Sequence, residues 1–195
     1  MKQLALGISP PPQPTLDNFV PGANAELLAR LRELQAGNFA ENVLYLWGES
    51  GSGKSHLLQA CAGMRAADDV EKLDEPSQIG LFNSINEARQ SGGTVLAAGN
   101  APPAQLPLRE DLKSRLAWGL VYQVKLLSDV DRSTYLRAEA ARRGMQLPDE
   151  VVAYLLTRMR RDMRSLNAVL DRIDQVSLEL KRPITLPLVR EAVKE

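Results

Sequence analysis

Apolar positions in this chain follow two rhythms. Up to about residue 127, short continuous apolar runs alternate with stretches at three- and four-residue spacing. Beyond it, only the helical spacing remains. Leu27, Leu28, Leu31 and Leu34 predict a helix over 24–36, ending near Gly37. Residues 42–47 form an apolar run of strand length. Leu57, Leu58 and Cys61 predict a helix from Ser55 to Ala67. Ile79, Phe82, Ile85 and Ala88 predict another over 76–90, stopped by Gly92 and Gly93. Residues 94–99 read as a buried strand, 109–117 as a short charged helix, and 119–126 as a further strand. Ser128 caps the next helix, with Asp129 and Asp131 in its first turn, ending near Gly144. Pro148 opens a helix carrying Val151, Val152, Leu155 and Leu156. Asp162 caps one carrying Leu166, Val169, Leu170, Ile173 and Val176, and a last short helix starts near Pro187. The order predicts an α/β base domain over 15–127, built on a parallel sheet, followed by a small all-helical domain over 128–195.

The first strand runs into Gly48-Glu49-Ser50-Gly51-Ser52-Gly53-Lys54-Ser55, and His56 follows. This is G-x-x-x-x-G-K-[ST] with a strand before it and a helix after it, the context a phosphate-binding loop requires. Gly51 and Gly53 let successive N–H groups converge on one anion. The helix start adds partial positive charge. In a bound nucleotide, ADP or ATP, Lys54 would reach the β-phosphate and any γ-phosphate, and Ser55 would give an oxygen to Mg²⁺. An ordinary glycine-rich turn is the competing reading.

Asp68 and Asp69 follow as an acidic pair. Asp68 would contact Mg²⁺ through its water shell, and Asp69 would polarise the attacking water; a solvated acidic turn is the alternative. In a P-loop fold such acids stand at the tip of a buried parallel strand. Here residues 61–67 read as the tail of the preceding helix, and a parallel crossover takes about a dozen residues or more. Either a strand–helix–strand unit is missing before Asp68, or the sheet is rebuilt. The first is the favoured expectation, including a disordered segment that the sequence closes up, and a true loss would expose the core. Asn100, at the end of the 94–99 strand, could bond the γ-phosphate or the lytic water, or simply close a turn before Pro102 and Pro103. Arg115 is either a surface charge on a short helix or a group with a task. Arg164 lies near Arg158, Arg160 and Arg161, a cluster that suggests a phosphate nearby or a solvated face.

Charge narrows the partners. The 195 residues hold 24 basic and 24 acidic side chains, so bulk electrostatics does not draw the chain to nucleic acid. The single cysteine, Cys61, forms no internal disulfide and suits a reducing compartment. His56 is the one histidine, which argues against a zinc site or a histidine-dependent triad. No apolar run of membrane-spanning length and no signal-peptide pattern exist, so the expected location is cytoplasmic, with no membrane partner. Residues 1–14 differ from the rest. Pro10, Pro11, Pro12 and Pro14 make a stiff, extended linker. Before it, Gln3, Leu4, Leu6 and Ile8 belong either to a disordered tail or to a peptide that docks in a partner's apolar groove. Two or three such anchors support roughly micromolar binding after ordering costs, so the tail would act as a tether.

The order of parts resembles that of AAA+ ATPases, and Leu112–Leu120, LKSRLAWGL, resembles the signature of the replication initiator clade, DnaA. Thr15–Val20 is similar to that family's opening segment, and Asp162–Leu166 to its sensor-two helix. Residues 3–8 look like a sliding-clamp-binding peptide, and the chain stops just past the lid, where DnaA carries a DNA-binding domain. These departures resemble the regulatory-inactivator branch of the clade. The resemblance implies a nucleotide-bound protein, ADP in that branch, that docks on the DNA polymerase III beta sliding clamp and makes DnaA–ATP hydrolyse. DNA would be reached only through the clamp, and self-assembly is left open. It assigns Arg115 as a finger acting in trans and Arg164 as a sensor of the chain's own nucleotide. Intrinsic ATPase would be weak. Rival readings are a stand-alone AAA+ ATPase of helicase-loader type, a non-enzymatic scaffold and a truncated DnaA core.

Overall fold

The structure is a computed structural model that describes residues 13–159 and 162–193. The expected clamp-binding positions Gln3, Leu4, Leu6 and Ile8, together with Arg160 and Arg161, lie outside the described residues. Two compact units are present, one over Gln13–Leu126 and one from Leu127 onward.

In the first unit the order is α1 (Ala25–Gln35), β1 (Val43–Trp47), α2 (Lys54–Ala60), β2 (Arg65–Ala67), α3 (Glu75–Ser91), β3 (Val95–Gly99), α4 (Glu110–Leu116) and β4 (Leu120–Gln123). The strands form a parallel sheet in the order β2-β3-β1-β4. β1 and β3 read as continuous apolar runs because helices cover both faces of the sheet. Successive side chains alternate between those faces. Leu44, Leu46, Leu96 and Ala98 pack with Leu28 and Leu31 of α1 and Leu57 of α2. Val43, Tyr45, Val95 and Ala97 pack with Ile85 and Ala88 of α3 and Leu112 and Leu116 of α4.

One expectation is corrected here. Residues 61–67 are not a helix tail: α2 stops at Ala60, and Arg65–Ala67 form a strand paired with Val95–Ala97. The chain turns after α2 through a bond from the Met64 N–H to the Cys61 carbonyl, with Gly63 at φ +97°. The crossover runs from the end of β1, over residues 48–64, so it meets the length a parallel connection needs. Nor is the core exposed, since Val70, Ile85, Val95, Leu96 and Ala97 are all buried. β2 is a short edge strand; its Arg65 is exposed and pairs with Glu87 at 2.9 Å, which discourages pairing with another chain.

A smaller correction concerns α3. Its buried stripe is Leu81, Ile85 and Ala88, while Ile79 is 41% exposed and Phe82 is half-buried. Asp74 caps the helix through the Ser77 N–H at 3.0 Å, and Gly92 ends it at φ +74°.

The second unit is α5 (Asp129–Arg142), α6 (Asp149–Arg158), α7 (Met163–Leu180) and α8 (Leu186–Val193). Ser128 and Asp131 form a reciprocal capping box, and Asp162 caps α7 through the Ser165 N–H at 2.8 Å. Leu136, Val151, Leu155, Leu166, Leu170, Ile173 and Val189 make its core. Among the described residues, no helix is long and apolar enough to cross a membrane.

Candidate functional site

Between β1 and α2 the chain forms the loop that the glycine spacing predicts. Gly53 sits at φ +101°, and a Cβ there would fall 2.8 Å from Phe19 Cε2. A Cβ on Gly48 would strike the Val124 carbonyl oxygen. Only glycine therefore fits at either position. Lys54 is buried, and its ammonium donates to the carbonyls of Gly48 at 2.7 Å and Glu49 at 3.0 Å. Burial pulls its pKa down, while the nearby charges of Asp68, Glu71 and Asp69 act the other way. Ser52 Oγ is buried without a hydrogen-bond partner. Glu49, Ser50, Gly51 and Ser55 are exposed on the loop and the first turn of α2.

The sheet then assembles the rest. Trp47 pairs with Gly99, so Gly48 and Asn100 leave adjacent strands side by side. Ala67 pairs with Ala97, which sets Asp68 and Asp69 at the tip of the next strand. P-loop, acidic pair and Asn100 thus share the C-terminal edge of a parallel sheet, where open α/β sheets place their ligands. Asp68 accepts from the Asp69 N–H at 2.9 Å, and the Asp69 carboxylate pairs with Lys72 at 2.6 Å. Asp69 itself adopts φ +49°.

Glu71 was not anticipated from the sequence. Its Oε2 accepts from the Asn100 N–H at 3.3 Å, and its charge acts on Lys54. It stands in a 3₁₀ turn, Val70–Lys72, anchored by the fully buried Val70. The signal that could have found it is one apolar residue followed by another acid directly after the pair. Beneath Asn100, the buried Tyr45 hydroxyl donates to the Ala101 carbonyl at 2.8 Å. Burial, with Glu71 nearby, pushes the Tyr45 phenol up.

His56, expected among the nucleotide contacts, ties down the segment before α1. Its Nε2 lies 2.9 Å from the Thr15 carbonyl, and its ring meets Phe19 with centroids 5.6 Å apart. Asn24 holds that segment to the end of β4, donating to the Lys125 carbonyl at 2.9 Å and accepting from its N–H at 2.8 Å.

Arg115, half-buried at the end of α4, lies elsewhere on the first unit. Its guanidinium carbon is 3.5 Å from the Trp118 ring centroid and 5.1 Å from that of Phe82, and its Nε donates to Asn86 Oδ1 at 3.0 Å. No carboxylate among the described residues forms an ion pair with it. Gly119 packs against Val43, the first residue of β1, whereas the P-loop follows Trp47, the last. Arg115 therefore sits near the opposite end of the sheet from its own loop, roughly 13 Å away along β1 at about 3.3 Å per residue. A cleft of about 420 Å³, lined in part by Asn42, Ile85, Arg89 and Trp118, opens at that end. Arg164 is exposed in the first turn of α7 in the second unit.

No three His, Cys, Asp or Glu side chains among the described residues could together hold a metal ion. Ser55 and Asp68 would be ligands only for an ion that brings phosphate oxygens and water with it. The donors do fit a polyphosphate. A buried ammonium facing only carbonyls, an orphaned hydroxyl in the same loop, and a backbone with no room for side chains are what a bound phosphate would complete.

Residues 129–193 match the family described as "Hda, lid domain". Residues 11–72 match "Bacterial DnaA ATPase domain". Among solved structures, domain III of the replication initiation protein DnaA from Thermotoga maritima is similar at TM-score 0.79 and 21% identity, over 95% of this chain and 98% of that one. AMPPCP-bound DnaA from Aquifex aeolicus follows at 0.71 and 22%, over 82% and 64%. The Holliday junction branch migration motor RuvB of Thermotoga maritima is more distant, at 0.65 and 14%, over 93% and 71%. At these identities the structural likeness establishes the fold: an AAA+ α/β base followed by a helical lid.

Proposed function

We propose a regulatory role from one premise: this chain is a DnaA-like AAA+ protein with an Hda-type lid domain. In our reading it binds an adenine nucleotide, docks on the DNA polymerase III beta sliding clamp, and restrains replication initiation by stimulating ATP hydrolysis on DnaA. The base is residues 15–127 and the lid 128–195. The observation that carries this reading is the separation of Arg115 from its own P-loop, by the length of β1. A guanidinium so placed serves a phosphate only on another molecule.

Each group then has a task. Gly48–Gly53 wrap the phosphates with backbone N–H groups, and Lys54 turns from its own carbonyls to the phosphate oxygens. Ser55 and Asp68 complete the shell of a Mg²⁺ that arrives with the nucleotide. Asp69 and Asn100 line the place where water would attack, and Glu71 fixes Asn100. Because Asp69 is paired with Lys72, intrinsic turnover is slow, and ADP is the resident form that we favour. Arg164 senses this chain's own nucleotide from the lid. Arg115 meets the DnaA γ-phosphate and offsets charge building in the transition state, a contribution of about 10³–10⁵ in rate for arginine fingers. Gln3, Leu4, Leu6 and Ile8 supply the clamp tether, so DNA is engaged only through the clamp.

The test is hydrolysis by DnaA–ATP with and without this protein, clamp and DNA. Arg115→Ala should abolish stimulation while clamp and nucleotide binding persist; undiminished stimulation refutes the role. Replacing Gln3, Leu4 and Leu6 by Ala should end clamp pull-down. A second reading, a stand-alone ATPase of helicase-loader type, draws on Lys54 and the acids at the strand tips; rapid turnover without DnaA would favour it.

A further inference from the structure

We infer that Trp118, with Phe82 and Asn86, is a positioning platform that holds Arg115 in the orientation from which it meets a phosphate on a second molecule. The inference rests on the reading of Arg115 given above and adds residues to it. An arginine at the end of a short surface helix ordinarily samples many rotamers. Here three contacts restrain one. The guanidinium lies over the Trp118 ring at 3.5 Å and near the Phe82 ring at 5.1 Å, and Nε donates to Asn86 Oδ1 at 3.0 Å.

The geometry of these contacts matters more than their number. Stacking engages the π-face of the guanidinium and leaves its N–H bonds, which lie in the plane, free to donate. The Asn86 bond takes Nε alone and fixes rotation within that plane. The two terminal nitrogens remain as a fork, the arrangement that pairs with a phosphate. Trp118 is 45% exposed, so nothing within this unit needs it there as core. Arg89 also lies over its ring, at 4.7 Å. Neither arginine has an ion-pair partner among the described residues, so two positive charges gather at this ring. The element order supports this: Trp118 comes directly before Gly119, and a Cβ on Gly119 would strike the Val43 carbonyl, so the residue beside Trp118 is locked to the sheet.

The experiment measures stimulated DnaA–ATP hydrolysis in the presence of clamp and DNA as a function of this protein's concentration. Trp118→Ala and Asn86→Ala should lower the maximal stimulated rate by about tenfold or more, since small misplacements of a catalytic group carry such losses. Their half-saturating concentrations should stay within about twofold of the parent. Trp118→Phe, which keeps a ring face, should retain most of the rate. In a Trp47→Phe background, Arg115→Gln should change the Trp118 emission of the unbound protein, a signature a merely structural role would not give. Thermal melting identifies any variant that fails to fold, and the emission test on Arg115→Gln then stands in its place.

Three results overturn the inference. A full stimulated rate with Trp118→Ala removes the platform while leaving Arg115 its role. A raised half-saturating concentration at unchanged maximal rate makes Trp118 a docking contact instead. Emission indifferent to Arg115→Gln shows that the stack is not populated. Full stimulation by Arg115→Ala is a different failure: it removes the parent reading, and the platform with it.

Discussion

Gly53→Ala gives the sharpest test of how the phosphate loop is built. At φ +101° an alanine is strained, at about 1–3 kcal/mol. Stiffening of the unfolded chain returns about 0.4–1 kcal/mol of that. The new methyl would also stand 2.8 Å from Phe19 Cε2, so the ring must move. Phe19 is half-buried and tilted against His56, a contact of about 0.5–1.5 kcal/mol in typical aromatic pairs. The total is about 2–3 kcal/mol, and roughly a third of it should depend on Phe19. Urea denaturation of the nucleotide-free protein, followed by circular dichroism, measures the cost in the parent and in Phe19→Ala. The expected coupling between the two sites is about 1 kcal/mol. Titration with a fluorescent adenine nucleotide should show weakened binding in Gly53→Ala that Phe19→Ala does not restore, because the backbone strain remains. Equal cost in both backgrounds, or a total below about 0.5 kcal/mol, refutes the claim that the segment before α1 clamps the loop.

Glu139 accepts from Arg142 and Arg143, and these contacts, the Arg142 hydrogen bond foremost, hold its carboxyl down at about 2. The stability it contributes is therefore complete above its ordinary value near 4.5 and lost as pH falls toward 2. With Arg142 largely exposed, Glu139→Gln should cost about 1 kcal/mol at pH 7 and nothing near pH 2, read from lid unfolding across that window. Arg132 is wholly buried with Nε and Nη1 unpartnered, while Asp129, its ion-pair partner, is 64% exposed. Arg132→Met should therefore raise the melting temperature, by about 1–2 kcal/mol of added stability; a fall would show that this cation is needed for folding. Tyr45→Phe removes the hydroxyl that holds the Ala101 carbonyl and should cost about 1 kcal/mol, with an unchanged denaturant slope.

What the sequence made legible divides along physical lines. Where apolar spacing and stop signals agreed, as with Leu27–Leu34 before Gly37 or Asp162 before Leu166, the helices stand close to where they were expected. β1 and β3 were legible because burial on both faces leaves no polar interruption. β2 was not, because Arg65-Ala66-Ala67 has helical propensity and becomes a strand only by pairing with Val95–Ala97. That misreading is also why the stretch before Asp68 looked too short for a crossover and a strand. The stripe on α3 was misjudged because Ile79 and Phe82 satisfy helical spacing as well as Leu81 does, and only packing chooses between them. The loop itself was legible from glycine positions, yet its neighbours were not. Glu71 reaches Asn100 across 29 residues, and Phe19 reaches Gly53 across a longer stretch, so only the fold brings them together.

The parallel sheet sets the phosphate loop and Arg115 at opposite edges of one unit. Parallel strands end at one edge, so every βα loop delivers its polar residues there: Gly48–Ser55, Asp68, Asp69 and Asn100. The helix-to-strand connections return at the other edge, and α4 leads into β4 through Trp118 and Gly119, carrying Arg115 with it. No adjustment of side chains closes a separation of that length, because it is the strand itself. A cation at one edge and an anion site at the other complement each other only between molecules, head to tail. Such a contact is heterologous: it leaves one unused edge on each end molecule. On the reading proposed above, whichever molecule offers the guanidinium decides when its neighbour's nucleotide is spent. The stacked, amide-bonded state of Arg115 matters for the same reason, for a side chain already held in position loses less freedom when the neighbour arrives.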